Sequence, residues 1–226
     1  MGRTTVWINN FNRLTTTRAL VESLGRIPRA RAVILDNAST YPPLLDWYDE
    51  APCEVIRLDS NLGHLAPWLS GAVAGTSGDF YAVTDPDLDL SACPADLLEV
   101  LRLGLERYPD RIKAGLGLVI GDLPACYPWR DDVIRHESVF WSQPLDDRFF
   151  AASVDTTFAL YRAGHDYLGE GWRYDPSLRT KEPYVARHLP WYLDPFHLDG
   201  EERYYFEHAS GSSSLALRIR ESADPR

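Results

Sequence analysis

The chain has 226 residues, 45% of them hydrophobic and 25% charged, enough to bury a large core in one generous domain. A formal charge of -10 argues against a broad nucleic-acid footprint, and no stretch reaches the apolar length of a membrane span. An acidic protein that handles an anionic substrate needs a cation or helix N-termini to receive it.

Chain order shows alternating strand and helix signals. "TTVWIN" is a short β-rich run, followed by the polar loop "NFNRL" and then "TTTRALVESLGRI". There Leu20, Val21 and Leu24 recur at helical spacing and Gly25 acts as a stop. "RAVILD" is a continuous apolar strand of the kind buried on both faces of a parallel sheet. The turn-rich "NASTYPP" leads to a short helix, "LLDWYDE", and "CEVIRL" makes a third strand. "HLAPWLSGAVAG" reads as one helix with Pro67 in its first turn. "DFYAVT" is the fourth strand, "PADLLEVLRLGLERY" the clearest amphipathic helix, and "KAGLGLVI" a fifth strand.

From about Gly121 the pattern is less regular. "DLPACYPWRDDVIRHESVFWSQPLDDRFF" reads as a long loop with one short element, "AASVDTTFALYR" returns to a strand, and "GEERYYFEHAS" forms a helix. The last residues, "ESADPR", read as frayed. Cys53, Cys93 and Cys126 are scattered with no CxxC pair, and "MGRTTVWINNFNR" has no apolar leader core. Both features point to reduced thiols and a cytoplasmic location.

Strands alternating with helices predict an α/β fold built on a mostly parallel sheet with right-handed crossovers. In such sheets a ligand lies beyond the carboxyl ends of the strands. Asp36, Asn61 and Asp85 follow the second, third and fourth strands at that edge. Directly after the fourth strand, Asp85, Asp87 and Asp89 alternate with Pro86 and Leu88. Such a cluster either caps the next helix as an acidic turn or receives something positive. A calcium loop would want Gly at its sixth position, where Leu90 stands.

In this order the pieces resemble the GT-A fold of family 2 glycosyltransferases. "VWINNFNRLTTTRALVESL" is similar to that family's opening strand, Asn-Arg loop and first helix. "AVILDNAST" resembles its second-strand signature, "VIRLDSNLGH" its Asn-x-Gly turn, and "VTDPD" its metal-binding Asp-x-Asp. The match covers residues 1–120. It implies a Rossmann-like, three-layer α/β/α sandwich: one GT-A domain over residues 1–226, with a nucleotide-sugar donor half (1–120) and an acceptor and catalytic half (121–226).

The resemblance also implies roles. Asp85 and Asp87 become the metal pair for Mn²⁺ or Mg²⁺, with Asp87 the direct ligand and Asp85 nearer the ribose or a metal-bound water. Asp36 would bond the nucleobase or its ribose, which favours a uridine-type donor; an Asx-turn with Asn37 is the plain alternative. Asn10, Asn12 and Arg13 line the nucleotide loop, where Arg13 would touch a phosphate, and Asn61 and Gly63 make a tight turn beside His64, a surface position. His188 matches a late histidine of the metal shell, with His197 and His208 as alternatives. Trp141, Trp191, Tyr192, Tyr204 and Tyr205 either stack on sugar faces or belong to core or interface.

An inverting transferase needs a carboxylate opposite the leaving group to take the acceptor's proton. The family's Glu-Asp pair is missing, which leaves Asp155, Glu137 and Glu182 as candidates, Asp155 and Glu137 ahead. A processive synthase would carry Gln-x-x-Arg-Trp and a membrane helix; a sugar nucleotidyltransferase would carry Gly-x-Gly-Thr-Arg after the first strand. Neither motif is in the sequence. The expectation is a metal-dependent, non-processive transferase moving a sugar from a nucleotide-diphosphate donor to a glycan, lipid-linked or small-molecule acceptor. Peripheral membrane contact and homo-oligomerisation are compatible with it. The alternatives are a non-catalytic nucleotide- or sugar-binding module and a nucleotidyltransferase.

Overall fold

The computed structural model describes residues 2–165, 167–168, 176–209 and 217–218. The predicted frayed tail "ESADPR" lies outside the described residues. Strands β1 (Thr4–Asn10), β2 (Ala30–Asp36), β3 (Glu54–Arg57) and β4 (Phe80–Thr84) pair in parallel in the order β3-β2-β1-β4. Chain order reverses between β1 and β4, so a ligand crevice opens beyond their carboxyl ends. Three further strands, β6 (Lys113–Gly115), β8 (Phe149–Ala151) and β9 (Ala159–Arg162), join β10 (Ser177–Thr180) to extend the sheet to eight strands, β3-β2-β1-β4-β9-β6-β10-β8. Strand β9 runs antiparallel to both neighbours, and β8 antiparallel to β10. The sheet is therefore mixed, with most pairs parallel.

Alternate residues of the central strands feed two separate cores. Val6, Ile8, Ile34 and Ala82 pack with helices α1 (Thr15–Gly25) and α4 (Leu97–Arg107) through Leu20, Leu24, Leu97 and Leu101. Trp7, Val33, Leu35, Tyr81 and Val83 face the other way, onto Ala66 and Trp68 of the short helix α3 (Ala66–Leu69). A strand covered on both faces needs apolar residues at every position, which is why "RAVILD" is a continuous run. Helix α2 (Pro42–Tyr48) starts with prolines, which lack the amide that a first turn leaves unpaired anyway.

Several expected elements differ. Residues 64–75 do not form one helix: a 3₁₀ turn (Gly63–Leu65), α3 and a second 3₁₀ turn (Ala72–Gly75) replace it. The break falls at Gly71, whose φ of 76° ends a right-handed helix. "KAGLGLVI" is two strands rather than one, because β6 stays in the large sheet while β7 (Gly117–Leu118) enters a second one. That three-stranded sheet runs β5-β11-β7, with β5 at Leu88–Asp89 and β11 at Val185–His188. The stretch after Gly121, read as mostly loop, contains helix α5 (Arg130–Ser138) and β8. Asp155, expected within a strand, sits in the loop before β9. The thiols divide: Cys53 and Cys93 are half-buried and Cys126 is exposed.

Gly117 is where the two sheets meet, paired with Val185 of β11. A Cβ there would lie 2.5 Å from the Thr180 carbonyl oxygen, a backbone atom that cannot swing aside. Gly117→Ala is expected to destabilise the fold by about 1–3 kcal/mol, the usual range for overpacking. Urea unfolding with an unchanged midpoint would count against this close approach being obligatory.

Candidate active site

The β4 strand ends on the acidic run, and its geometry starts with Asp85. One carboxyl oxygen accepts a 3.2 Å hydrogen bond from the Thr156 hydroxyl. Burial, then the negative charges of Asp87 and Asp155, hold this carboxyl well above the ordinary carboxylate range. Asp87 is buried, and its Oδ1 has no hydrogen-bond partner among the described residues. The nearest cationic candidate is His188 Nε2 at 3.6 Å, too long for a hydrogen bond.

Pairing between β5 and β11 brings that histidine in. His188 lies opposite Leu88 in the antiparallel ladder, and the Leu189 amide donates to the Asp87 carbonyl at 2.9 Å. The imidazole stands edge-on to Trp191, 4.7 Å between ring centres, and its Nδ1 is also buried without a partner. Burial lowers its pKa first, opposed by the charge of Asp87. His197 and His208 are engaged elsewhere, with the Asp194 carboxylate at 2.7 Å and the Tyr204 carbonyl at 2.8 Å. Asp89 is turned away, accepting from the Ser91 amide and lying near Arg187.

The loops after β1 and β2 hold the other expected residues. Asp36 is fully buried and already engaged: it accepts from the Tyr48 hydroxyl (3.0 Å), Arg57 Nε (3.2 Å) and the Ser39 amide (3.3 Å). Burial and the Asp36 charge raise the Tyr48 pKa, so the phenol stays a donor. A nucleobase reaching Asp36 would displace Arg57, whose side chain is 54% exposed. Asn10 donates to the Tyr48 hydroxyl and the Arg13 carbonyl. Asn12, at φ 53°, accepts from the Thr40 and Tyr41 amides and so ties the two loops together. Asn61 accepts from the Gly63 amide in an exposed turn, where His64 is half-buried rather than a surface residue. Asn9 and Asn37 fix this turn by donating to the Gly63 carbonyl. Arg13 is 4% exposed, with Tyr205 stacked 3.7 Å from its guanidinium.

Beyond the rim opens a cavity of about 590 Å³. Asp85, His188 and Trp191 line one side; α5, Asp155 and Arg179 line others. The two base candidates part company here. Glu137 is buried on α5 in an ion pair with Arg179 of β10, whose guanidinium also lies over Phe140. Asp155 is exposed to the cavity and close enough to Asp85 and His188 to act on both electrostatically. Glu182 sits exposed in the turn after β10, outside the cavity lining. Of the aromatic candidates, Trp191 lines the cavity, Trp141 packs on Phe150, Tyr192 bonds Asp122, and Tyr204 and Tyr205 pack on the donor-side loops.

No family model matches the chain. It is 24% identical over 200 residues to the uncharacterized glycosyltransferase YwdF of Bacillus subtilis (strain 168), covering 81% of this chain and 69% of that one. The structure of S. aureus TarS superposes with a TM-score of 0.50 at 11% identity, over 97% of this chain and 42% of TarS. At this identity the likeness shows a shared fold, that of the GT-A enzymes. A second solved structure, glucosyl-3-phosphoglycerate synthase from Mycobacterium tuberculosis in complex with Mn²⁺ and UDP-glucose, gives a TM-score of 0.44 at 19% identity, over 71% of this chain and 56% of that one. The chain therefore spans about half the length of these two solved proteins.

Tyr48 and Arg57, which hold Asp36, and Arg179, which holds Glu137, were not among the residues expected from the sequence. Only Arg179 left a signal: a charged residue inside the short β-rich run "SLRT". No group of three or more His, Cys, Asp or Glu side chains is placed to hold a metal ion among the described residues. No helix among them is long and apolar enough to cross a membrane.

A carboxyl held protonated by its surroundings makes a signed prediction. Because the folded state keeps the Asp85 proton to higher pH than the unfolded chain does, stability of the metal-free protein falls as pH rises above about 4, the ordinary carboxylate range. Asp85→Asn is expected to flatten that decline. Thermal unfolding across pH 4 to 9 checks it, and parallel curves for the two proteins would remove the assignment.

Proposed function

We propose that the chain transfers a sugar from a nucleotide-diphosphate donor, uridine-linked, to a hydroxyl of an acceptor held in the cavity. The observation that carries this reading is the unsatisfied rim: among the described residues Asp87 Oδ1 and His188 Nδ1 are buried without partners, beside an Asp85 that accepts one hydrogen bond. Buried polar atoms are normally paired, so orphaned atoms of this kind mark a place where a ligand completes the set. Carboxylates suit Mn²⁺ or Mg²⁺, and donor phosphates would supply the ligands that the protein does not. When bound, such a cation neutralises the charge that develops on the departing nucleoside diphosphate.

The chain's own residues divide the remaining work. Asp87 and His188 would hold the cation, with Asp85 beside them. Arg13, a buried cation close enough to His188 to lower its pKa, would face a donor phosphate. Asn10, Asn12 and Asn61 shape the loops around the nucleoside, and Asp36 with Arg57 forms their floor. Asp155 would accept the acceptor hydroxyl's proton as that oxygen attacks the anomeric carbon opposite the leaving group, which inverts the configuration. Glu137 would instead hold Arg179 in the acceptor wall. The M. tuberculosis synthase is in complex with Mn²⁺ and UDP-glucose.

Calorimetry with UDP separates the parts. Binding is expected to strengthen with Mn²⁺ and to be lost in Asp87→Ala; equally strong metal-independent binding would remove the cation from the site. A panel of nucleotide sugars, followed by slow donor hydrolysis, then identifies the sugar and distinguishes a transferase from a binder. Asp155→Asn is expected to lower turnover by about 10²–10⁴-fold, the usual contribution of a general base, while leaving UDP affinity intact. Full activity in that variant would return the role of base to another group.

A further inference from the structure

Helix α6 (Gly200–His208) is built apart from the sheet. It carries its own capping box, in which the Glu202 amide donates to Asp199 Oδ1 and the Asp199 amide to Glu202 Oε2. Its Tyr205 and Phe206, with Ala209 just past it and Leu193 and Leu198 before it, form a small cluster separate from both sheet cores. Three of its side chains reach the donor-side loops. Glu201 accepts from the Leu14 amide (2.8 Å), the Thr15 amide (3.1 Å) and the Thr15 hydroxyl (2.8 Å). The Tyr204 hydroxyl donates to the Thr40 carbonyl at 3.0 Å, and its ring packs on Tyr41. Tyr205 lies 3.7 Å under the Arg13 guanidinium and edge-on to Phe11.

Arg13 is the focus of these contacts and is itself incomplete. It is 4% exposed, and among the described residues its Nε has no hydrogen-bond partner and no carboxylate lies within ion-pair distance of it. A buried guanidinium normally pairs with an anion. An aromatic face can hold the cation but leaves its in-plane N–H donors free. We propose that Tyr205 is a positioning residue: its ring, docked on α6 by Glu201, holds Arg13 in plane so that a donor phosphate completes the guanidinium's pairing. This rests on the donor reading above and adds α6 to the donor site, to which sequence reasoning assigned only the first half of the chain. It also gives Tyr205 a role other than stacking on a sugar.

Calorimetry of the full chain with UDP and Mn²⁺, beside uridine measured by competition, tests the inference. Tyr205→Leu is expected to weaken UDP about tenfold, the order of one desolvated cation–π contact, with uridine unchanged and Tyr205→Phe close to wild type. In an Arg13→Ala background, Tyr205→Leu should cost nothing more. Equal loss of UDP and uridine would make the ring a nucleoside or folding contact and overturn the proposal, as would undiminished UDP binding. If Tyr205→Leu does not fold, Glu201→Gln should show the same phosphate-only loss, and its absence counts against the idea. Wild-type protein that binds no UDP overturns the donor reading, and this inference falls with it; wild-type binding with an indifferent Tyr205→Leu overturns this inference alone.

Discussion

The arrangement depends on like charges gathered at the end of a buried strand. Burial of Asp85, with the charges of Asp87 and Asp155 beside it, raises its pKa and favours the protonated carboxyl. A fold tolerates such a cluster in only a few ways: by protonation, by a cationic neighbour, or by a bound cation. Burial favours the first at Asp85, and the fold places His188, its pKa lowered by burial, and Arg13 nearby. Its surroundings are explained by delivery of these groups. The second sheet exists as a β5-β11-β7 strip that pulls His188 against Asp87, and Gly117 admits the approach that lets this strip branch from the main sheet.

What could be read from the sequence follows from which interactions are local. Strands β1 to β4 were legible because a strand buried on both faces is a continuous apolar run, and α1 and α4 because one face of each is apolar. The acidic rim was legible because Asp85, Asp87 and Asp89 fall at alternate positions of one short stretch. The small strands β10 and β11 were not: each has four residues, and their partners lie far away in the chain, Leu178 on Ala114 and His188 on Leu88. For residues 64–75, composition suited a helix throughout, but one glycine at positive φ divides it.

The same distinction applies to side chains. Asp36 was placed correctly at the strand end, yet its partners Tyr48 and Arg57 stand 12 and 21 residues away, so nothing local shows that its oxygens are already engaged. Glu137 looked open for catalysis beside a histidine and aromatics, while its arginine is 42 residues distant. Charge type is visible in a sequence; charge pairing is not.

Pairing, in turn, separates the two carboxylates of the cavity. A buried Glu–Arg pair is expensive to desolvate, and its value lies in holding a fixed geometry, because removing either partner strands an uncompensated charge. Glu137 and Arg179 link α5 to β10 in this way, making the cavity wall rigid and leaving one carboxylate committed. A group that must accept a proton and release it each cycle needs access to solvent and freedom from such a partner. Asp155 meets both conditions: it sits in a loop, exposed to the cavity, with an electrostatic reach to Asp85 and His188. Fixed pair and loop carboxylate face one space, so under the proposed reading the wall would hold an acceptor still while Asp155 exchanges its proton.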